Sequence, residues 1–112
     1  MFTFYTDRFV SPTARGTTRG FLIFIRPQYK DDRGLLEHEK VHRKQFFKHG
    51  LFIHSLLYKF VPEYRIASEV EAFREQARWY EDDRLPHFAK IIATRYGLNV
   101  TEEAALKLLR DL

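Results

Sequence analysis

The sequence predicts an α+β domain: a short N-terminal β-sheet followed by four to five helices. Three observations predict it. Residues 2–26 are rich in aromatic and β-branched side chains and close on a continuous apolar run, Gly20-Phe-Leu-Ile-Phe-Ile-Arg26, stopped by Pro27. Beyond residue 32, apolar residues recur at three- and four-residue spacing. Asp, Thr, Pro and Gly stand where helices start and stop. A chain of 112 residues, 45% hydrophobic and 16% aromatic, is read as one domain over residues 1–112 with a compact core.

Residues 2–10 carry the β-favouring composition of one or two short strands. Residues 11–20, with Ser, Pro, Thr, Gly and Arg, read as a turn or loop. Residues 20–26 have strand length, and Pro27 ends the pairing because it lacks an N–H. Gln28 to Gly34 is a polar connector in which Asp31 and Asp32 are placed to cap a helix and complement its N-terminal dipole. That helix runs from about 32 to 49, with Gly50 as its C-terminal cap.

Residues 51–60, Leu-Phe-Ile-His-Ser-Leu-Leu-Tyr-Lys-Phe, read as a short buried helix, with a strand as the alternative. Pro62 breaks this run and opens the next helix, about 63–82, whose core stripe is Ile66, Val70, Phe73, Ala77 and Tyr80. Asp82-Asp83-Arg84 is a polar break. Pro86 starts a helix through about Tyr96, and Gly97 caps it. Thr101, followed by Glu102 and Glu103, begins a last helix with Leu106, Leu109 and Leu112 on one apolar edge. There are no internal repeats and no low-complexity segments.

Composition excludes several function classes. With no Cys, neither a disulfide framework nor a thiolate metal site can form. Any metal must be held by His, carboxylate and water. No stretch reaches the roughly 18 apolar residues of a membrane span. The first eight residues lack the basic and apolar regions of a secretory leader, so the expected location is the cytoplasm. The net charge of +4 is spread along the chain without a run of five Lys or Arg, which reads as an ordinary solvated surface and argues against nucleic acid as a partner.

The chemistry-bearing stretch is His38-Glu39-Lys40-Val41-His42, an H-E-x-x-H motif. Five His and nine Glu in 112 residues would place such a motif by chance only about 0.02 times per chain. On a helix, residues four apart share a face, so His38 and His42 can aim two imidazoles at one ion with Glu39 beside them as general base. Leu35, His38, Glu39, His42, Gln45, Phe46 and His49 fall on one side of this helix. Lys40, Arg43, Lys44 and Lys48 fall largely on the other, with Phe47 among them. Two His and a Glu on a buried face need partners. The competing reading is a pair of hydrogen-bonded core histidines.

Catalytic zinc commonly takes three protein ligands and a water. A third His six residues after the second is ruled out, because that position is Lys48 and the preceding Gly position is Gln45. His49 lies on the right face but about 10 Å of helix rise from His42. The 63–82 helix offers Glu69, Glu71 and Glu75. With Ile66 at the centre of the buried stripe, Glu69 sits about 60° to one side, and Glu71 and Glu75 about 140° and 180° away. Glu69 alone borders the buried face, and Glu71 is the alternative. Against both stands the usual fate of helical Glu, a surface carboxylate pairing with Arg65, Arg74 or Arg78.

H-E-x-x-H followed by Glu69-Val-Glu-Ala72 on a later helix resembles the gluzincin clan of zinc metallopeptidases. In scale it is most similar to minimal, single-domain gluzincins, which resemble the catalytic core of CAAX prenyl proteases and HtpX-like peptidases. The resemblance spans roughly residues 20–80. A weaker likeness is to small bacteriophage-encoded peptidases. The gluzincin resemblance implies a zincin-like fold and one zinc per chain held by His38, His42 and Glu69, with Glu39 as the base. It also implies an edge strand at Gly20–Arg26 whose Phe24 and Ile25 contact a peptide or protein substrate. The family often has an Asp four residues after the ligand Glu, supporting a ligand His. Here that position is Phe73, so the support must come from elsewhere.

The expected activity is metallo-endopeptidase hydrolysis of peptide bonds. His54, Tyr58, Tyr64 and Arg65 are candidates for stabilising the developing oxyanion. The alternative is an inactive or latent metal-binding interaction protein on the same scaffold, its last helix covering the site.

Overall fold

The computed structural model describes residues 2–111. The expected architecture is present: a three-stranded sheet followed by five helices. Strand β1 is Thr3–Tyr5, β2 is Gly16–Arg19 and β3 is Leu22–Ile25. A single 3-10 turn, Pro27–Tyr29, leads to α1 (Arg33–His49) and α2 (Leu51–Phe60). Helices α3 (Pro62–Ala77), α4 (Leu85–Arg95) and α5 (Glu102–Arg110) complete the chain.

The sheet order is β1-β3-β2, with β1 parallel and β2 antiparallel to β3. This corrects two expectations. Residues 16–19 form a strand rather than a loop, and Gly20–Arg26 does not supply an edge. β3 is the central strand, hydrogen-bonded on both sides, so it cannot accept a further strand. Its residues alternate faces. Ile23 and Ile25 turn inward to Leu35 of α1 and are almost fully buried. Phe24 points to the opposite face, beneath the rings of Phe4 and Phe9. The exposed edge beside α1 is therefore β2.

Helix α1 begins as its sequence dictates, with the Asp32 side chain accepting from the Leu35 N–H at 3.1 Å. It ends at Gly50, whose positive φ of 82° turns the chain directly into α2. Gly34 permits a close approach in the first turn, since a Cβ there would lie 2.6 Å from the Tyr80 ring. Tyr80 in turn donates to Asp32 Oδ1 at 2.5 Å, tying the chain after α3 to the start of α1.

α1 packs on the sheet on one side and on α3 on the other. Beyond α3, a second apolar cluster joins α3, α4 and α5 through Val70, Phe73, Phe88, Ile92, Ala105 and Leu109. α3 stops at Ala77, five residues before the expected end, yet its stripe of Ile66, Val70, Phe73, Ala77 and Tyr80 packs as predicted. Thr101 caps α5 by accepting from the Ala104 N–H. Leu109 is buried and Leu106 packs against the same cluster, while Leu112 lies outside the described residues.

The run 51–60 is helical, but it is not buried. Only His54 in α2 is buried, while Phe52 is 82% exposed and Phe60 66%. No helix among the described residues is long and apolar enough to cross a membrane.

Candidate metal centre

The site lies at the seam between the sheet-side core and the α3–α5 core. α1 carries His38, Glu39 and His42 on the face that meets α3 and β2. Glu69 comes from α3, one residue before the core residue Val70. The helical phase that places Val70 in the core leaves Glu69 at its border, facing α1.

The three side chains converge. His38 Nε2 and His42 Nε2 are 3.2 Å apart. Glu69 Oε1 is 3.4 Å from His38 Nε2, and Oε2 is 3.3 Å from His42 Nε2. A tetrahedral ion with ligand bonds of about 2.0–2.1 Å separates its ligand atoms by about 3.3 Å. One ligand atom from each of the three residues lies within 4.8 Å of the other two, so His38, His42 and Glu69 could hold a metal ion, with the two imidazole nitrogens already near the tetrahedral separation. Burial supports this fit, since the Glu69 side chain is 3% exposed and that of His38 6%. Glu69 Oε1 makes no hydrogen bond among the described residues. A buried acceptor without a donor destabilises a fold, and a cation is the partner that satisfies it.

Neighbouring groups orient the ligands. Gln45 Oε1 lies 2.9 Å from His42 Nδ1 and also accepts from Ser68 Oγ at 2.7 Å. The Gln45 amide donates to the Ser68 carbonyl and to Glu71 Oε1. With both amide hydrogens committed, Oε1 faces His42 as an acceptor, so Nδ1 carries the proton and Nε2 offers its lone pair to the site. His38 has no such support. Its Nδ1 is buried without a partner, and the edge of its ring meets Phe73, centroids 4.4 Å apart. Phe73, where the gluzincin resemblance would place an Asp, supplies packing in place of a hydrogen bond.

The charge balance favours an ionised carboxylate. Burial alone would raise the Glu69 pKa, but the facing imidazoles of His42 and His38 hold it well below the ordinary carboxylate range. Burial alone would lower that of His42, but Glu69 overrides it and raises the value to about 9 when no cation lies between them.

Glu39 sits beside this cluster, 5% exposed. Thr18 Oγ1 on β2 donates to Glu39 Oε1 at 2.8 Å and approaches the Glu39 carbonyl at 3.0 Å. Gly16, two residues earlier and on the same face of β2, also lies against Glu39, where a Cβ would come within 3.7 Å of Cγ and 3.1 Å of the Phe24 carbonyl.

A cleft of about 360 Å³ opens over these groups. His38, Glu39, His42 and Glu69 form its floor, β2 one wall, and Phe46 with the His54, Ser55 and Tyr58 of α2 another. No residue of α5 lines it, so the last helix does not cover the site. Tyr58 donates to Glu69 Oε2 at 2.5 Å. Tyr96, at the end of α4, completes the rim and was not anticipated from sequence. Burial first, then the charge of Glu69, pushes both phenols up, so both stay protonated donors at neutral pH.

The other candidates divide. His54 lines the cleft with its Nδ1 2.7 Å from Tyr64 Oη, and burial pushes its pKa down. Tyr64 and Arg65 lie outside the cleft, and Arg65 donates to the Tyr58 and Lys59 carbonyls at the end of α2. Glu71 faces Gln45 rather than the histidines, and His49 packs against Tyr64. Phe24 and Ile25 are absent from the cleft, because one lies on the far face of the sheet and the other beneath the core.

No family model, curated protein or solved structure matches the chain.

Proposed function

We propose that this protein is a zinc-dependent metallo-endopeptidase of gluzincin type. The observation that carries the reading is the buried convergence of His38 Nε2, His42 Nε2 and the Glu69 carboxylate, with an acidic residue held at their side. Two neutral imidazoles and one carboxylate suit zinc. Bound there, zinc supplies a water of lowered pKa and polarises a carbonyl.

The remaining work falls to the chain's own residues. Thr18 occupies Oε1 of Glu39, leaving Oε2 to accept a proton and return it to the departing amine nitrogen. The outer edge of β2 offers backbone N–H and C=O groups to an extended peptide, taking the role that the gluzincin resemblance implies for residues 20–26. Tyr96 lies at the rim as a phenol that can donate where charge develops on a carbonyl oxygen, while the Tyr58 O–H is held by Glu69.

Glu39→Gln tests the reading. The variant is expected to keep one zinc per chain by elemental mass spectrometry while losing peptide hydrolysis by at least about a hundredfold. Glu69→Ala is expected to lose the zinc. An active Glu39→Gln protein would sink the mechanism. A second reading, a metal-binding interaction module, draws on the apolar surface of α2. It predicts zinc in the wild type and no hydrolysis of any peptide library.

A further inference from the structure

Helix α2 is built inside out. Its polar residues His54 and Tyr58 point into the protein, while Phe52, Ile53, Leu56 and Phe60 point to solvent, each more than half exposed. These four lie within an arc of about 100° on the helix surface. An apolar face of this width ordinarily faces a core. A second exposed apolar pair lies near the start of α2, where Gly20 of the β2–β3 turn comes against Leu51. Phe47, 63% exposed at the end of α1, stacks on Phe21 of the β2–β3 turn with ring centroids 4.4 Å apart. Exposed aromatic and aliphatic side chains gathered along one side of a helix in this way mark a docking surface.

Charge identifies what docks. From residue 40 to residue 62 the chain carries five Lys or Arg and no Asp or Glu. Lys59 lies over the Phe60 ring, 5.4 Å from its centroid. Lys48 follows Phe47 in the chain, and Arg19 precedes the turn that holds Phe21. Long basic side chains beside exposed Phe, Leu and Ile match an interface that is apolar below and anionic above. A symmetric dimer through α2 would bring the two Lys59 side chains and their basic neighbours together, which disfavours a second copy.

We propose that α2, with Phe47 and Phe21, is a docking surface for an anionic phospholipid membrane. The helix lies in the plane of the interface, its outward phenylalanines inserted and its lysines at the headgroups. Because His54, Ser55 and Tyr58 of the same helix wall the cleft, docking holds the metal centre beside the bilayer surface. The inference does not depend on the peptidase reading.

Vesicle flotation tests it, with phosphatidylcholine alone and with phosphatidylcholine containing phosphatidylglycerol. Binding to the anionic vesicles is expected to exceed that to neutral ones at least about tenfold and to weaken with salt. Phe52→Ser combined with Phe60→Ser should reduce it about tenfold or more, with helix content by circular dichroism unchanged because both side chains are exposed. Lys59→Glu should reduce binding to anionic vesicles alone. Failure to float with anionic vesicles, or equal flotation of the double Phe variant, would overturn the proposal. So would a stable dimer in sedimentation equilibrium that Phe52→Ser dissociates, which would assign the face to a second copy.

Discussion

Gln45 determines which nitrogen of His42 faces the candidate metal centre. Its carbonyl oxygen receives both His42 Nδ1 and Ser68 Oγ, and its amide is spent on Ser68 and Glu71. Gln45→Ala removes the acceptor that fixes the tautomer, and is expected to weaken zinc binding about 10–100-fold in a chelator competition with little loss of helix content. His42 also sets the pH dependence of metal uptake. With a metal-free pKa of about 9, raised from the ordinary 6.5, it is protonated at pH 7, and zinc must displace that proton. Uptake near pH 7 should therefore release about one proton per zinc, and apparent affinity should rise about tenfold per pH unit until about 9. The sign reverses for the metal-free fold. The His42–Glu69 pair contributes stability that is full between about pH 4.5 and 6.5, is lost as pH rises through about 9, and is lost in acid as Glu69 takes up a proton. Calorimetry in buffers of different ionisation enthalpy would count the protons. At this scale the sequence was informative. Helical phase alone separated Glu69 from Glu71, because a helix fixes side-chain direction within about 100° per residue. Tyr96 was not legible, since its place on the rim depends on how α4 packs against α3, which no local pattern encodes.

Among the elements, α1 is positioned at both ends by devices that are visible in the sequence, an Asp cap and a Gly corner. The site needs that precision, because His38 and His42 lie in the middle of a helix clamped between the sheet and α3. Gly34 sharpens the point. Its missing Cβ makes room for Tyr80, which holds Asp32 at the cap. Gly34→Ala, although it raises helix propensity, is expected to destabilise the protein by about 1–3 kcal/mol in urea unfolding through overpacking against the Tyr80 ring. A neutral or stabilising result would show that the Tyr80 ring yields. Two elements were misread, for physical reasons. β2 is four residues long and reads Gly-Thr-Thr-Arg, too short and polar for periodicity, and it forms because β3 offers it a partner. That partner also turned the expected edge strand into the central one. α2 has the composition of a buried helix, and burial is a property of what surrounds a segment rather than of its own residues.

In the whole molecule, the candidate metal centre occupies a polar seam between two apolar clusters, one of sheet and α1, the other of α3, α4 and α5. His38 and His42 belong to the first side of the seam and Glu69 to the second. An ion shared between them is a cross-link, and its binding energy is available only when both sides are folded and docked. Hydrogen exchange would make this visible. In zinc-free protein the amides of α1 and α3 are expected to exchange by separate local openings, because only side-chain hydrogen bonds and packing join the two layers. With zinc at a hundred times its dissociation constant, amides on both helices should slow together, by up to about a hundredfold where exchange requires the layers to part. Slowing confined to α1 would mean that the ion is held from one side only. Joint slowing would instead make the seam a lock between two folding units, and chelation, far from merely silencing the site, would set the lifetime of the fold itself.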